Sequence, residues 1–176
     1  MPPEAEHAAA SPPRVAIARL WWISLGVIVL DQVTKAMATA TLPLYGSRSL
    51  IPGVVDLVHV QNRGVAFGLL NDFAHPLRSV VTIALALVAL AGIAYYARHL
   101  RREERMARVG LALILGGAIG NLIDRIRQGF VTDFVDVYWG TWHFWAFNAA
   151  DAAISVGAAL IFLELLIPAR HVSHSV

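Results

Sequence analysis

The sequence contains no cysteine and few charged residues. The absence of cysteine excludes disulfides, thiol nucleophiles and cysteine-ligated metals. Charged side chains make up 15% of the 176 residues and hydrophobic ones 57%, and the mean hydropathy is +0.61. Because so little polar surface cannot cover a water-soluble globule, the composition predicts an integral membrane protein of one domain.

Several familiar catalytic patterns are also missing. The seven histidines are scattered without H-E-x-x-H or another ligand spacing, which argues against a metal site. No G-x-S-x-G element supports serine catalysis. The net charge of +2 does not indicate nucleic-acid binding, because the arginines flank apolar segments, where they orient helices. We therefore expect no metal, no cofactor and no nucleic-acid partner.

Four apolar segments are long enough to cross a bilayer. The predicted spans are residues 17–39, 77–97, 109–126 and 147–167. They belong to a membrane domain of residues 14–170, between a disordered tail rich in Ala and Pro (1–13) and a short C-terminal tail (171–176). The first apolar segment continues into a full span, unlike a secretory signal peptide. The third span is rich in glycine and alanine, as close helix packing in lipid requires.

Arginine positions predict the orientation of the spans. The link between the second and third spans, residues 98–108, holds five arginines. Further arginines lie beside the terminal spans on the same side: Arg14, Arg19 and Arg170. Because basic loops stay in the cytoplasm, we expect both termini inside and the two longer connections, 40–76 and 127–146, outside.

The two outer connections differ in composition. Residues 53–61 are rich in β-branched side chains and favour a strand, 62–64 favour a turn, and 65–70 are a candidate return strand, which together predict a small extracytoplasmic sheet. The connection 127–146 is dense in aromatic residues and is expected to form a loop in the headgroup region. The predicted fold class is an all-α membrane protein of four helices with a small β-sheet platform and an interfacial aromatic loop.

Polar side chains gather at the outer ends of the spans. Counted from Arg108 at the cytoplasmic edge, Asn121 and Arg125 lie roughly 20–25 Å along the third span. Each ionisable residue in a span costs about 2.5–3.5 kcal/mol on insertion scales, so each is a candidate functional residue. The residues that reach this outer layer are Asp31, Lys35, Asn121, Asp124, Arg125, Asp133, Asn148 and Asp151.

Two carboxylates in one such layer are suited to hydrolysis of an amide bond. One acts as a base on water, while the other keeps a proton and polarises the carbonyl. Asn148 is placed to cap the fourth helix, whose positive end favours an ionised Asp151 and leaves the proton on Asp133. The pattern therefore indicates an aspartic protease with Asp133 and Asp151 as its catalytic pair.

Structural roles compete for other members of the layer. Asp31 and Lys35 are spaced i, i+4 and can neutralise each other in the bilayer. Asp124 is interpreted as structural, and an asparagine placed like Asn62, in a turn before Gly64, is more often a turn residue than a ligand. Glu164, near the cytoplasmic end of the fourth span, can extend to the interface and needs no function.

Two other functions are compatible with this composition. A small transporter or channel would use Asp31, Lys35, Asp124 and Arg125 as an ion or proton path. A membrane scaffold would use the glycine-rich third span only to pack helices. The polar residues stop at the outer layer and leave the cytoplasmic halves of the spans apolar, which argues against a path.

Five motifs together resemble the lipoprotein signal peptidase family, the type II signal peptidases of bacteria. They occur in the family's order: DQVTK (31–35), NRGVAFG (62–68), GNLIDR (120–125), VTDF (131–134) and FNAAD (147–151). The resemblance covers residues 20–166, and Val65 stands where the family often has alanine.

The resemblance implies an intramembrane aspartic endopeptidase that removes signal peptides from prolipoproteins by cutting before a diacylglyceryl-modified cysteine. Its catalytic pair would be Asp133 and Asp151. Substrate-binding residues would be Asn62, Asn121, Arg125 and Asn148, and supporting residues would be Asp31, Lys35, Gly64 and Asp124. The expected partners are lipidated prolipoproteins and membrane phospholipids. We expect a monomer in the bacterial inner membrane, with its active site near the periplasmic face.

Overall fold

The computed structural model describes residues 14–63, 75–100 and 104–166. Its elements in chain order are α1 (Arg14–Thr41), β1 (Ser47–Ile51), β2 (Val55–Asn62), α2 (His75–His99), α3 (Arg105–Gln128), β3 (Val131–Trp139), β4 (Trp142–His143) and α4 (Ala149–Leu166). All four helices are long and apolar enough to span a membrane. The predicted fold of four membrane helices with a small sheet is therefore confirmed.

Helix α3 is central and packs against the three other helices. Glycine makes the close approaches possible: a Cβ on Gly110 would lie 2.5 Å from the carbonyl oxygen of Gly157 in α4, and one on Gly116 would lie 2.7 Å from that of Ser24 in α1. The Ser24 hydroxyl also donates to the Ala112 carbonyl at 2.8 Å. Small residues thus allow α1, α3 and α4 to meet backbone to backbone, as expected for helices in lipid.

The first turn of α3 is capped by a side chain of α4. Oε2 of Glu164 accepts hydrogen bonds from the backbone N–H groups of Met106 at 2.7 Å and Ala107 at 3.1 Å. A carboxylate at this point satisfies free N–H groups and stabilises the positive end of the helix. Glu164, for which no function was predicted, therefore has a structural role at the start of α3. The helix begins at Arg105, about one turn before the predicted start of the third span at residue 109.

The sheet is antiparallel with its strands in chain order, β1-β2-β3-β4. Strand β2 confirms the strand predicted from the β-branched residues of 53–61. Its register with β3 places Val55 opposite Val137 and Asn62 opposite Val131, with a shift between Leu57 and Val60. The predicted return strand, 65–70, lies outside the described residues.

The partner of β2 comes from the second outer connection, which was expected to be a loop. Residues 131–139 form strand β3 because β-branched and aromatic residues, which both favour strands, make up most of the segment. The sequence pattern instead predicts a place in the headgroup region for its aromatic residues. Asp133 therefore lies on a strand rather than in a loop. The aromatic residues Trp139, Trp142 and Trp145 are exposed at the end of the β3-β4 hairpin and just beyond it.

Candidate active site

Backbone pairing brings the start of α4 beside Asp133. The N–H groups of Phe134 and Val135 donate to the Phe147 carbonyl at 3.0 and 2.9 Å, and the Phe147 N–H donates to the Val135 carbonyl at 3.0 Å. The chain thus returns antiparallel along β3 immediately before α4 begins. Asp133, which is 2% exposed, and Asp151 in the first turn of α4 are delivered to the same place.

Asn148 and Asp151 cap α4 reciprocally. The Asn148 Oδ1 accepts the Asp151 N–H at 3.0 Å, and the Asp151 Oδ2 accepts the Asn148 N–H at 3.2 Å. This arrangement is a capping box with aspartate at its third helical position. The predicted cap is confirmed, and it fixes the Asp151 carboxylate at the positive end of a helix.

Amide side chains connect the two aspartates. The Nδ2 of Asn148, which is itself buried, donates to Asp133 Oδ1 at 2.7 Å and to Asn121 Oδ1 at 3.2 Å. The Nδ2 of Asn121 donates to Asp151 Oδ1 at 2.8 Å, and that of Asn62 donates to Asp133 Oδ2 at 3.0 Å. Every oxygen of the two carboxyl groups therefore accepts a hydrogen bond, from donors on three different elements or connections.

A buried charged cluster lies behind this pair and consists of Asp31, Lys35 and Asp124. The Lys35 Nζ contacts Asp31 Oδ2 at 2.8 Å, Asp124 Oδ2 at 2.9 Å and Asn121 Oδ1 at 3.0 Å. Lys35 is 4% exposed and Asp31 is 0% exposed. All three ammonium protons thus have an acceptor, as a buried charge requires.

The two carboxylates of this cluster also hold the backbone next to the aspartate pair. Asp31 Oδ1 accepts the N–H of Ala150 at 3.0 Å, and Asp124 Oδ2 accepts the N–H of Thr132 at 3.2 Å. Each of these N–H groups belongs to the residue that precedes Asp151 or Asp133. Lys35 therefore holds two carboxylates, and these in turn hold the backbone next to Asp133 and Asp151.

Two predicted site residues, Arg125 and Gly64, are not shown to contact the aspartate pair by a hydrogen bond. Arg125 donates to its own helix, at the Asn121 carbonyl, at 3.3 Å, and its guanidinium is within electrostatic range of Asp133 and Asp151. Gly64 lies outside the described residues. Among the described residues, no three His, Asp or Glu side chains are placed to hold a metal ion.

Gln32 belongs to the site although sequence reasoning did not assign it a role. Its Nε2 donates to Asp124 Oδ1 at 3.1 Å, to Asp31 Oδ2 at 3.2 Å and to the Gly120 carbonyl at 3.3 Å. The available signal was its position beside Asp31 in an apolar helix. A Cβ at Gly120 would lie 2.6 Å from Asp31 Oδ2, so this glycine makes room for the cluster.

The protonation of Asp133 differs from that of an ordinary carboxyl group. Burial raises the pKa of Asp133 to about 7, and the charge of Asp151 also raises it. Hydrogen bonds from Asn62 and Asn148 and the charge of Lys35 act in the opposite direction. Below pH 7 the Asp133 carboxyl group therefore keeps a proton that it can donate.

Comparison with known proteins agrees with this architecture. The family model for signal peptidase (SPase) II matches residues 23–167. A lipoprotein signal peptidase of Geobacter metallireducens is 48% identical over 139 residues, 79% of this chain and 85% of that protein. One of Solibacter usitatus is 41% identical over 159 residues, 88% of this chain and 97% of that protein.

A solved structure of a bacterial membrane enzyme, determined by the in meso method at 1.9 Å resolution, has the same fold. It superposes with a TM-score of 0.73 and 28% sequence identity, over 86% of this chain and 95% of that chain. The family match covers most of the chain, including all four candidate spans except the first residues of α1. The chain therefore belongs to the signal peptidase II family and is a membrane-embedded peptidase.

Proposed function

We propose that Asp133 and Asp151 are the catalytic pair of this signal peptidase and that it cleaves lipid-modified prolipoproteins before the diacylglyceryl-modified cysteine. The observation that carries the proposal is the link through Asn148. This residue donates from its side chain to Asp133 at 2.7 Å and from its backbone to Asp151 at 3.2 Å. One buried residue thus holds two carboxyl groups in a fixed relation, as acid–base catalysis by a pair requires.

In the proposed reaction, the ionised Asp151 removes a proton from water, and the water oxygen attacks the carbonyl carbon of the scissile peptide. Protonated Asp133 donates its proton to the carbonyl oxygen, which gives a neutral tetrahedral diol. Asp151 then returns its proton to the departing cysteine nitrogen as the C–N bond breaks, and Asp133 recovers the diol proton as the new acid forms. No covalent enzyme intermediate is needed.

The surrounding residues divide into two groups in this proposal. Asn121 and Asn148 are buried and hydrogen-bonded to the aspartates, so they orient the carboxyl groups. Asn62 is exposed beside Asp133, and its amide can present either its N–H or its oxygen to a peptide. We assign Asn62 and Arg125 to binding of the substrate backbone, and Asp31, Lys35 and Asp124 to support.

The membrane placement follows from the substrate. Its acyl chains stay in the bilayer, where each buried methylene contributes about 0.8 kcal/mol, so the scissile bond stays near the interface. We propose that the sheet and the exposed Trp139, Trp142 and Trp145 lie at the periplasmic face of the inner membrane, with both termini in the cytoplasm. A single chain supplies every group of the site, so we propose that the enzyme works as a monomer.

The assignment of residues 1–13 and 171–176 as tails outside the membrane domain stays a prediction.

The substrate is tested with two versions of one precursor peptide. Purified protein in detergent is expected to cleave the diacylglyceryl-modified precursor before its cysteine and to leave the unmodified peptide uncut. Mass spectrometry of the products locates the cleaved bond. Equal cleavage of both peptides would show that the lipid is not recognised, and a product cut elsewhere would refute the proposed bond.

The pH dependence of cleavage is expected to report the Asp133 proton. Because the pKa of Asp133 is raised to about 7, kcat/KM is expected to fall as pH rises through about 7, where the proton is lost. Replacement of Asn62 by alanine removes a hydrogen bond that lowers this pKa, so the fall is expected to move to higher pH. A fall that does not move in this variant would contradict the assignment.

The same ionisation affects folding with a defined sign. Between the ordinary carboxyl value of 3.8 and about 7, folded Asp133 holds a proton that the unfolded chain has lost. The contribution of Asp133 to the free energy of unfolding therefore decreases as pH rises across this window. Above it, the penalty for an ionised, buried carboxylate is complete.

A further inference from the structure

A polar cavity of about 170 Å³ lies between α1, α3 and the start of β3. It forms because these parallel helices are close at Gly116 and Gly120 and carry longer polar side chains beyond the Lys35–Asp124 ion pair. Its lining contains neither catalytic aspartate and none of the asparagines around them. The cavity therefore does not contain the proposed catalytic pair, although it shares Gln32, Lys35 and Asp124 with the polar groups behind that pair.

The polar side chains that line the cavity differ in whether their N–H groups already donate hydrogen bonds to other residues. The Lys35 ammonium is saturated by three acceptors, and the Gln32 amide donates to Asp124. The Gln128 amide donates to Thr132 Oγ1 at 3.2 Å. Within the described ranges, the guanidinium of Arg127 has no hydrogen bond or ion pair. Arg127 thus brings a positive charge and free N–H donors to the cavity, a combination that suits an oxyanion such as phosphate.

The position of the cavity on the two helices indicates where such an anion would come from. Ala36, Thr39 and Arg127 line the cavity and are themselves exposed, so it opens on the outer surface of the helix pair. Val33, about one turn before Ala36 on α1, is apolar and exposed. In a bilayer the Val33 side chain faces acyl chains. A phosphate in the cavity would therefore lie directly beside hydrocarbon, as the phosphate of a phospholipid does.

We infer that this cavity binds the phosphate of an anionic phospholipid through Arg127, with an acyl chain of the lipid against Val33. The ligand is not the lipid of the substrate, because a diacylglyceryl group carries no phosphate. The site therefore goes beyond the proposed peptidase function and would exist in a catalytically inactive variant as well.

Lipid retention tests the inference directly. Delipidated protein is incubated with equal amounts of phosphatidylglycerol and phosphatidylcholine, and bound lipid is counted by native mass spectrometry. We expect one phosphatidylglycerol to be retained per chain in preference to phosphatidylcholine. The variant Arg127→Gln is expected to retain it about fivefold less, whereas Arg48→Gln, an arginine of β1 that does not line the cavity, is expected to match the wild type.

A second pair of variants tests the cavity without changing charge. Ala36→Phe fills the space and is expected to reduce retention, whereas Ala40→Phe, on the same helix outside the lining, is expected not to. Equal retention by the wild type, Arg127→Gln and Ala36→Phe would overturn the inference, as would equal retention of the two lipids. Displacement of phosphatidylglycerol by inorganic phosphate alone would overturn the lipid assignment in favour of a free anion. None of these readouts depends on Asp133 or Asp151 being catalytic.

Discussion

Replacement of Asp133 or Asp151 by asparagine is expected to abolish cleavage of the lipidated precursor. Asparagine cannot hold the exchangeable proton of an acid or act as a base on water, and loss of such a group costs about 10²–10⁴ in rate. Because the two carboxyl groups act as a unit, the double variant is expected to lose little more than either single one. Initial cleavage rates of the three variants, measured below pH 7, check both statements.

Stability measurements separate this loss from misfolding. Asparagine keeps the shape of Asp133 and one acceptor for the 2.7 Å hydrogen bond from Asn148, and it removes the cost of ionising a buried carboxyl group above pH 7. The variant Asp133→Asn is therefore expected to melt at or above the wild-type temperature at pH 8. A folded variant of either aspartate with wild-type turnover would refute the assignment.

Asp136 offers a matched control on the same strand. It follows Asp133 by three positions on β3, so its side chain lies on the opposite face of the sheet, where Oδ2 contacts His143 Nδ1 at 2.8 Å. Asp136→Asn makes the same carboxyl-to-amide change on the same strand, three residues away from Asp133. Cleavage is expected to stay near the wild-type rate.

The position of the polar layer could be predicted from sequence because the bilayer makes charge expensive. Asp31, Lys35 and Asp124 each interrupt an apolar segment, and counting along α3 gives the depth of Asp124 directly. Because the rise per residue of a helix is known, the position of a residue in the sequence predicts its depth in the membrane. The same physical cost explains why Asp124 and Lys35, predicted only to lie in the same outer layer, form an ion pair at 2.9 Å.

The strand that carries Asp133 could not be predicted in the same way. Its partner, β2, lies about seventy residues earlier, and the Asn62–Asp133 hydrogen bond has a sequence separation of 71. No local periodicity reports such a pairing. The return of Phe147 along β3, which brings Asp151 to Asp133, likewise depends on backbone hydrogen bonds between segments that sequence patterns treat separately.

Replacement of Lys35 by methionine is expected to have the second largest effect, on folding as well as on cleavage. It leaves Asp31 and Asp124 buried and close together without their shared cation. Removal of one partner from a buried ion pair costs about 3–5 kcal/mol, mostly because an uncompensated charge stays behind. The free energy of unfolding, measured in mixed micelles by denaturant titration, is expected to fall by that amount.

The charge explanation has its own control in the triple variant Asp31→Asn, Lys35→Met, Asp124→Asn. Both asparagines keep an oxygen that can accept the N–H groups of Ala150 and Thr132, while no charge is left unpaired. Stability is expected to return to within about 2 kcal/mol of the wild type, since neutral replacements of buried ion clusters are often tolerated. If Lys35→Met alone melted like the wild type, the three charges would not form one unit, and the cluster would not be what holds the backbone before Asp133 and Asp151.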